Sequence, residues 1–185
     1  MRILGIDPGI GTTGFAIIEK NISGHERLSL LQSGEIRATE QMKKSKSSDD
    51  FRLKIIFMEL QEMIGGVSLD AVAIEDTFFA KNVKSALTLG QARGVAILAA
   101  QMHNLPIFEY SPKSVKLAVV GYGSATKEQV QFMVGKILNL SAPIDSEHMA
   151  DAAAVAICHA YSERWHAASV ATATPKLTTA RRGTP

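Results

Sequence analysis

Arg2-Ile3-Leu4-Gly5-Ile6-Asp7-Pro8-Gly9-Ile10-Gly11-Thr12-Thr13-Gly14 is the stretch on which the fold turns: an apolar run ends on a carboxylate and glycines follow at once. A buried strand is rigid and holds the acid at its tip in a fixed place, while Gly9, Gly11 and Gly14 let the chain reverse closely beside it. An acid presented in this way suits a metal ion or a phosphate, and the stretch alone leaves both open.

Moving outward, residues 14–19 read as a second apolar strand and Leu28 to Ile36 as a third, which together make an antiparallel meander. After the polar run Thr39 to Asp50, Leu53, Ile56, Phe57, Leu60 and Ile64 recur at helical spacing until Gly65-Gly66 stops them. Asp70 to Glu75 is a short strand. Asn82 to His103 is a helix apolar on more than one face, which marks it as a candidate dimer surface, although a purely internal helix fits the pattern equally well. Pro106 to Tyr110 reads as a last strand, and Val130, Met133, Val134, Ile137 and Leu138 give an amphipathic helix after Thr126. The final helix is expected to start near Ser146, a good N-cap, and to run through Trp165. This order predicts an α/β fold with a mixed five-stranded sheet, an antiparallel meander followed by parallel strands, flanked by helices on both faces. Residues 1–166 form the expected domain. Residues 167–185 are small, Thr-rich or basic, with too few apolar side chains to repay ordering, and are expected to be a disordered basic tail.

The 185 residues suffice for one domain with a proper core. The single cysteine, Cys158, excludes an internal disulfide and sits in the apolar helical run Ala-Val-Ala-Ile-Cys-His-Ala, where a buried small hydrophobe is a better reading than a nucleophile. No apolar stretch approaches the roughly 20 residues that span a bilayer, and no secretory leader pattern opens the chain, so a cytoplasmic, non-membrane protein is expected. A net charge of +2 and a pI near 8.7 permit nucleic-acid binding without requiring it. The basic clusters Lys43, Lys44, Lys46 and Lys176, Arg181, Arg182 read most simply as solvated loop and tail.

Three segments place acids where a buried scaffold can make them converge: Asp7 ending the first strand, Glu75 ending Ala71-Val-Ala-Ile-Glu75, and Asp151 in the first turns of the last helix. Each has a bland alternative, a solvated strand end for Glu75 and an acid favoured by the helix dipole for Asp151. His148 lies three residues before Asp151 and shares its helix face, while Glu147, also one turn away, competes for the same role. Pattern alone does not choose between them. An oxygen-rich set with one imidazole suits Mg²⁺ or Mn²⁺ better than structural zinc, and two such ions about 4 Å apart would serve in-line attack on a phosphodiester.

At this point the residues match a known family. Ile3-Leu-Gly-Ile-Asp-Pro-Gly9, Ala73-Ile-Glu75 followed by Phe79-Ala-Lys-Asn82, Ala86-Leu through Leu89-Gly-Gln-Ala-Arg-Gly-Val-Ala96, Val119-Val-Gly121 with Gly123-Ser-Ala125, and Ala150-Asp-Ala152 occur in order. From Met1 to about Trp165 the chain resembles the RuvC family of Holliday-junction resolvases, within the RNase H-like nuclease superfamily. The resemblance implies a homodimer that nicks symmetric strands of a four-way DNA junction in recombination and repair, leaving 5′-phosphate and 3′-hydroxyl ends. It implies Mg²⁺ as cofactor, with Mn²⁺ as substitute and two ions per site. Asp7, Glu75 and Asp151 fall on three of the family's four metal-binding positions, and His148 on the fourth, where the family carries aspartate or histidine. Phe78 matches the aromatic that pushes into the opened junction, with Phe79 an adjacent decoy. Lys116 and Lys127 match basic positions near the scissile phosphate. Gly121, Tyr122 and Gly123 form either a turn that approaches phosphate or a plain inter-helix turn. The resemblance also implies cooperation with the RuvA–RuvB branch-migration complex.

Two other classes compete. A catalytically silent junction-binding protein would share the fold, and an actin-like or sugar-kinase-type ATPase would share Asp7-x-Gly9. The second needs two related domains and a second Asp-x-Gly segment, neither of which this chain offers.

Overall fold

In the computed structural model, residues 1–21, 27–38, 48–76 and 83–172 are described, those of 163–172 by their backbone alone. Strands β1 (Arg2–Asp7), β2 (Thr13–Asn21) and β3 (Arg27–Ile36) are followed by helix α1 (Asp49–Gly66), β4 (Ala71–Glu75), α2 (Val83–Gln101) and β5 (Ile107–Tyr110). Helices α3 (Pro112–Val120), α4 (Lys127–Ile137) and α5 (Glu147–Thr172) complete the chain. The five-stranded sheet has the order β3-β2-β1-β4-β5, with β1–β2 and β2–β3 antiparallel and β1–β4 and β4–β5 parallel. That is the mixed sheet the sequence predicts.

The alternation of strand side chains decides what covers each face. Leu4, Ile6, Phe15, Ile17, Val72 and Ile74 point to one side and bury against Ile56, Leu60 and Ile64 of α1 and Ala92, Ala96 and Ala99 of α2. Ile3, Ala16, Ile18 and Ala73 point to the other and meet α3, α4 and the alanines of α5. On that second face α5 lies unusually close. A Cβ at Gly5 would fall on the Ala152 carbonyl and within 2.9 Å of the Ala156 Cβ, so only glycine lets the helix backbone reach β1.

One helix, α3, is absent from the sequence reading. Its signals are local: Ser111 caps it by accepting from the Ser114 N–H, Pro112 occupies its first turn, and Gly121 closes it at φ 94°. Gly121 to Gly123 therefore form the turn between α3 and α4. The Thr126 cap of α4 is a full capping box with Gln129. The backbone of α5 stays helical to Thr172, past Trp165, where the sequence placed its end, and so through residues 167–172, which were expected to belong to a disordered tail. Among the described residues no helix is long and apolar enough to cross a membrane.

Candidate active site

Asp7 closes β1 opposite Gly14 of β2, and Gly14 in turn lies opposite Glu35 of β3. On the other side of β1, Ile6 is level with Ile74, so Glu75 ends β4 beside Asp7. Residues level across strands share a face, and period two puts Asp7 on the side of Ile3 and Gly5, and Glu75 on the side of Ala73. Glu35, Gly14, Asp7 and Glu75 thus form one row at the end of the sheet, all on the face that α5 covers.

Helix α5 brings its own groups to this row. A Cβ at Gly14 would fall on the His148 carbonyl and 2.9 Å from the His148 Cβ, so the first turn of α5 sits directly over the glycine. From there the His148 Nδ1–H donates to Asp7 Oδ2 at 2.7 Å. Asp7 is only 15% exposed at its side chain, and this bond, with the charge behind it, raises the pKa of His148. Asp151, one turn on, is 30% exposed. Its pKa is raised by burial first and by the charge of Asp7 second. Glu75 is pushed up to about 7 by burial, then by Asp7 and Asp151. These are the marks of several acids confined together with too little positive charge among them.

Among the described residues, two lysines add cationic charge to that of the His148 imidazole. Lys127, the first residue of α4, places Nζ 3.0 Å from Glu147 Oε2 and 3.8 Å from Asp151 Oδ2. The Glu147 bond and the acids beyond it raise the Lys127 pKa. Lys116 of α3 is near enough to Glu75 to favour its ionised form. The structure therefore gathers Asp7, Glu75, His148, Asp151, Lys116 and Lys127 at one end of the sheet. It also separates the two neighbours that the sequence left in competition, since Glu147 turns out to Lys127 while His148 turns in to Asp7. Phe78 and Phe79 lie outside the described residues.

The donor set of three carboxylates and one imidazole fits a hard divalent cation, and the raised Glu75 and Asp151 show the negative charge that such an ion would balance. Among the described residues no three of these groups are drawn together tightly enough to hold an ion as they stand. Two of the groups that would hold an ion, His148 and Asp7, are hydrogen-bonded to each other.

Sequence reasoning missed Glu35. Its pKa is lowered chiefly by the hydroxyl of Ser146, which donates to Glu35 Oε1, and then by Arg37. A pairing across so much sequence leaves no local pattern. Its one signal was the meander itself, which sets the third strand level with the first. Arg93 of α2, within the motif that carries the resemblance, places Nη2 2.6 Å from Glu109 Oε2 and 3.3 Å from Asp76 Oδ1, at the exit of β4.

Comparison with known proteins gives a consistent result. The family described as Crossover junction endodeoxyribonuclease RuvC matches residues 3–159. Proteins of that name from Alkaliphilus oremlandii and Ruminiclostridium cellulolyticum are 48% and 46% identical, over 88% and 89% of this chain and 94% of each relative. Among solved structures, RuvC of Thermus thermophilus in complex with a Holliday junction substrate superposes with a TM-score of 0.80 at 31% identity, covering 90% of this chain and 96% of that one.

Proposed function

Because the chain belongs to the RuvC family of crossover junction endodeoxyribonucleases, we propose that Asp7, Glu75, His148 and Asp151 form the site with which it resolves four-way DNA junctions by paired symmetric nicks. The protein is a metal-dependent, structure-specific endonuclease of recombination and repair. The observation that carries the site assignment is the convergence of three carboxylates and one imidazole from β1, β4 and α5 on one sheet end, with the electrostatic strain already described.

The ions proposed are Mg²⁺, two per site, with Mn²⁺ as substitute. When bound, such ions activate a water and stabilise the leaving 3′ oxygen. The rest is the chain's own work. The sheet fixes Asp7 and Glu75, whose strands pair in parallel and cannot slide without breaking the ladder. His148 and Asp151 are set by how closely α5 lies on β1 and β2. Lys127 offsets part of the acid charge before DNA arrives and, with Lys116, supplies ammonium groups to the phosphates of the bound strand. Cleavage leaves 5′-phosphate and 3′-hydroxyl ends. Phe78 is proposed to stack on an unpaired base, an interaction worth about 1–3 kcal/mol. Residues 1–166 are taken as the nuclease domain and residues 167–185 as a basic tail, whose first six residues continue the backbone helix of α5 to Thr172.

The assembly proposed is a homodimer through α2. The helix buries Ala92, Ala96, Ala99 and Ala100 against its own sheet, while Val83, Leu87 and Leu98 are exposed on the opposite side. Gly90 and Gly94 lie on that exposed stripe, facing open space. An apolar stripe notched by glycines suits close approach of a second α2, and the two sites of the dimer then account for two nicks. By family resemblance the dimer works with the RuvA–RuvB branch-migration complex.

Incubation with a synthetic four-way junction and a matched duplex tests the reading. Paired symmetric nicks in the junction are expected in Mg²⁺ and none in Ca²⁺. Asp7→Asn should lose cleavage by more than about 100-fold, beyond the 10–100-fold that follows from altering a group behind a metal ligand. It should still bind the junction, whereas a silent binding protein shows no metal-dependent cleavage to lose. If Asp7→Asn cuts normally, the site lies elsewhere.

A further inference from the structure

His148 and Asp151 reach the site only through the placing of the α5 N-terminus, and that terminus is tied to the far side of the sheet. Ser146 is the N-cap of α5: its carbonyl accepts from the Ala150 N–H, and its Oγ accepts from the Met149 N–H at 3.4 Å. The hydroxyl proton is left to donate, and it goes to Glu35 Oε1. The other carboxylate oxygen, Oε2, accepts from Arg37 Nε at 2.6 Å. Each oxygen of Glu35 thus has its own partner, and the side chain is only 11% exposed. Glu35 stands on β3, two strand spacings and so about 10 Å of backbone from Asp7 on β1. It is therefore poorly placed to share an ion with Asp7. It is well placed to fix where the first turn of α5 starts, one residue pair before His148.

We infer that Glu35 is a positioning residue for the nuclease site: by accepting from Ser146 it sets the first turn of α5 over Gly14 and so aims His148 at Asp7. The inference rests on the assignment of His148 to the active site. Three contacts then define that turn, the Glu35–Ser146 bond at the β3 side, the close approach to Gly14 in the middle, and the His148–Asp7 bond at the β1 side. Without the first, the turn pivots about the second, and the third loses its alignment. The cap survives in weakened form, because Ser146 still accepts from Met149, so the helix is not expected to unwind.

The test uses the full chain with Glu35→Ala, Glu35→Gln and Ser146→Ala. In the metal-free protein at a fixed pH, a long-range ¹⁵N spectrum of the histidine rings reports whether His148 Nδ1 carries a hydrogen-bonded proton, with the signal identified by its loss in His148→Gln. Glu35→Ala should abolish that bonded-ring signature and raise the Mn²⁺ concentration for half-maximal junction cleavage roughly tenfold, the range for groups behind a ligand. Junction binding in Ca²⁺ should be unchanged. Glu35→Gln keeps an oxygen that accepts from Ser146 and should restore the ring signature, with half-saturation within roughly threefold of the parent. Ser146→Ala should repeat the Glu35→Ala shift, and the double variant should add nothing to it, which keeps the idea testable if Glu35→Ala folds poorly. An unaltered ring signal and unaltered half-saturation in either alanine variant would overturn the inference. Failure of the active-site assignment looks different: Asp7→Asn would then retain cleavage whatever Glu35 does.

Discussion

Along the seam where α5 meets the sheet, two places share one construction and differ in what they carry. At Gly5 the helix backbone presses on β1 through Ala152 and Ala156, and everything near is apolar and fully buried. About one turn toward the N-terminus, at Gly14, the same closeness brings His148 down onto β2, and everything near is ionisable. In the lower contact, closeness yields dense packing and therefore stability. In the upper one it confines Asp7, Glu75 and Asp151 together and raises the pKa of the last two, a cost the fold bears until a cation arrives. One helix thus joins a stabilising end to a destabilising end, the one proposed as the active site, and the first holds the second in place.

Substitutions at the two glycines separate these roles. Gly14→Ala pushes the His148 backbone off the row and should cut junction cleavage by about 100-fold, the scale of a 1 Å misplacement. Its loss of stability should be modest, since the helix terminus can shift. Gly5→Ala should do the reverse, with a loss of about 1–3 kcal/mol in urea unfolding from overpacking a core seam and cleavage per folded molecule much less affected. If both variants lose activity and stability in the same proportion, the seam has one role and the comparison fails.

The smallest effect concerns the charge of the upper end itself. Glu75 ionises near 4.5 when unfolded but only near 7 when folded, so its contribution favours the folded state below pH 4.5 and is lost as pH rises from 4.5 to 7. His148, whose folded pKa is raised by Asp7, gives stability present below its ordinary value of 6.5 and lost above it, and the raised Asp151 acts in the same sense. All three have the same sign. The metal-free protein should therefore melt lower at pH 8 than at pH 5, by roughly 4 °C if one to two kcal/mol are involved at this chain length. Adding Mg²⁺ or Mn²⁺ at pH 8 should recover much of the difference. A melting temperature that rises with pH would show that the acids at the upper end are not in conflict.

Much of this was legible in the sequence, for physical reasons that also explain the gaps. The apolar runs of β1, β2 and β4 and the periodicity of α1 and α4 are local signals, and each falls within a residue or two of its place. Asp7 and Glu75 showed themselves as acids that end apolar strands. The nine residues of α3 were too short for periodicity to register, although Ser111 and Pro112 had marked its start. The residue pattern did not choose between His148 and Glu147, and only the family resemblance pointed to His148; both share a helix turn with Asp151, and what separates them in space is that Gly14 lies beneath one and Lys127 beside the other. Glu35 was beyond reach, since its meaning depends on a hydroxyl 111 residues away.

The parallel pairing of β1 with β4, and the docking of α5 over both, also have a consequence for the order in which the protein comes into being. As the polypeptide leaves the ribosome, β1 can pair with β2 at once, but the partner that brings Glu75 arrives only after α1 has been made, and the helix that brings His148 and Asp151 comes later still. Non-local contacts of this kind form last. A nascent chain therefore exposes Asp7 before Glu75, His148 and Asp151 can join it, and the row of acids is complete only after α5 has emerged and its Ala152 and His148 have settled on Gly5 and Gly14. On the site proposed above, the chain cannot cut DNA until its last helix has docked.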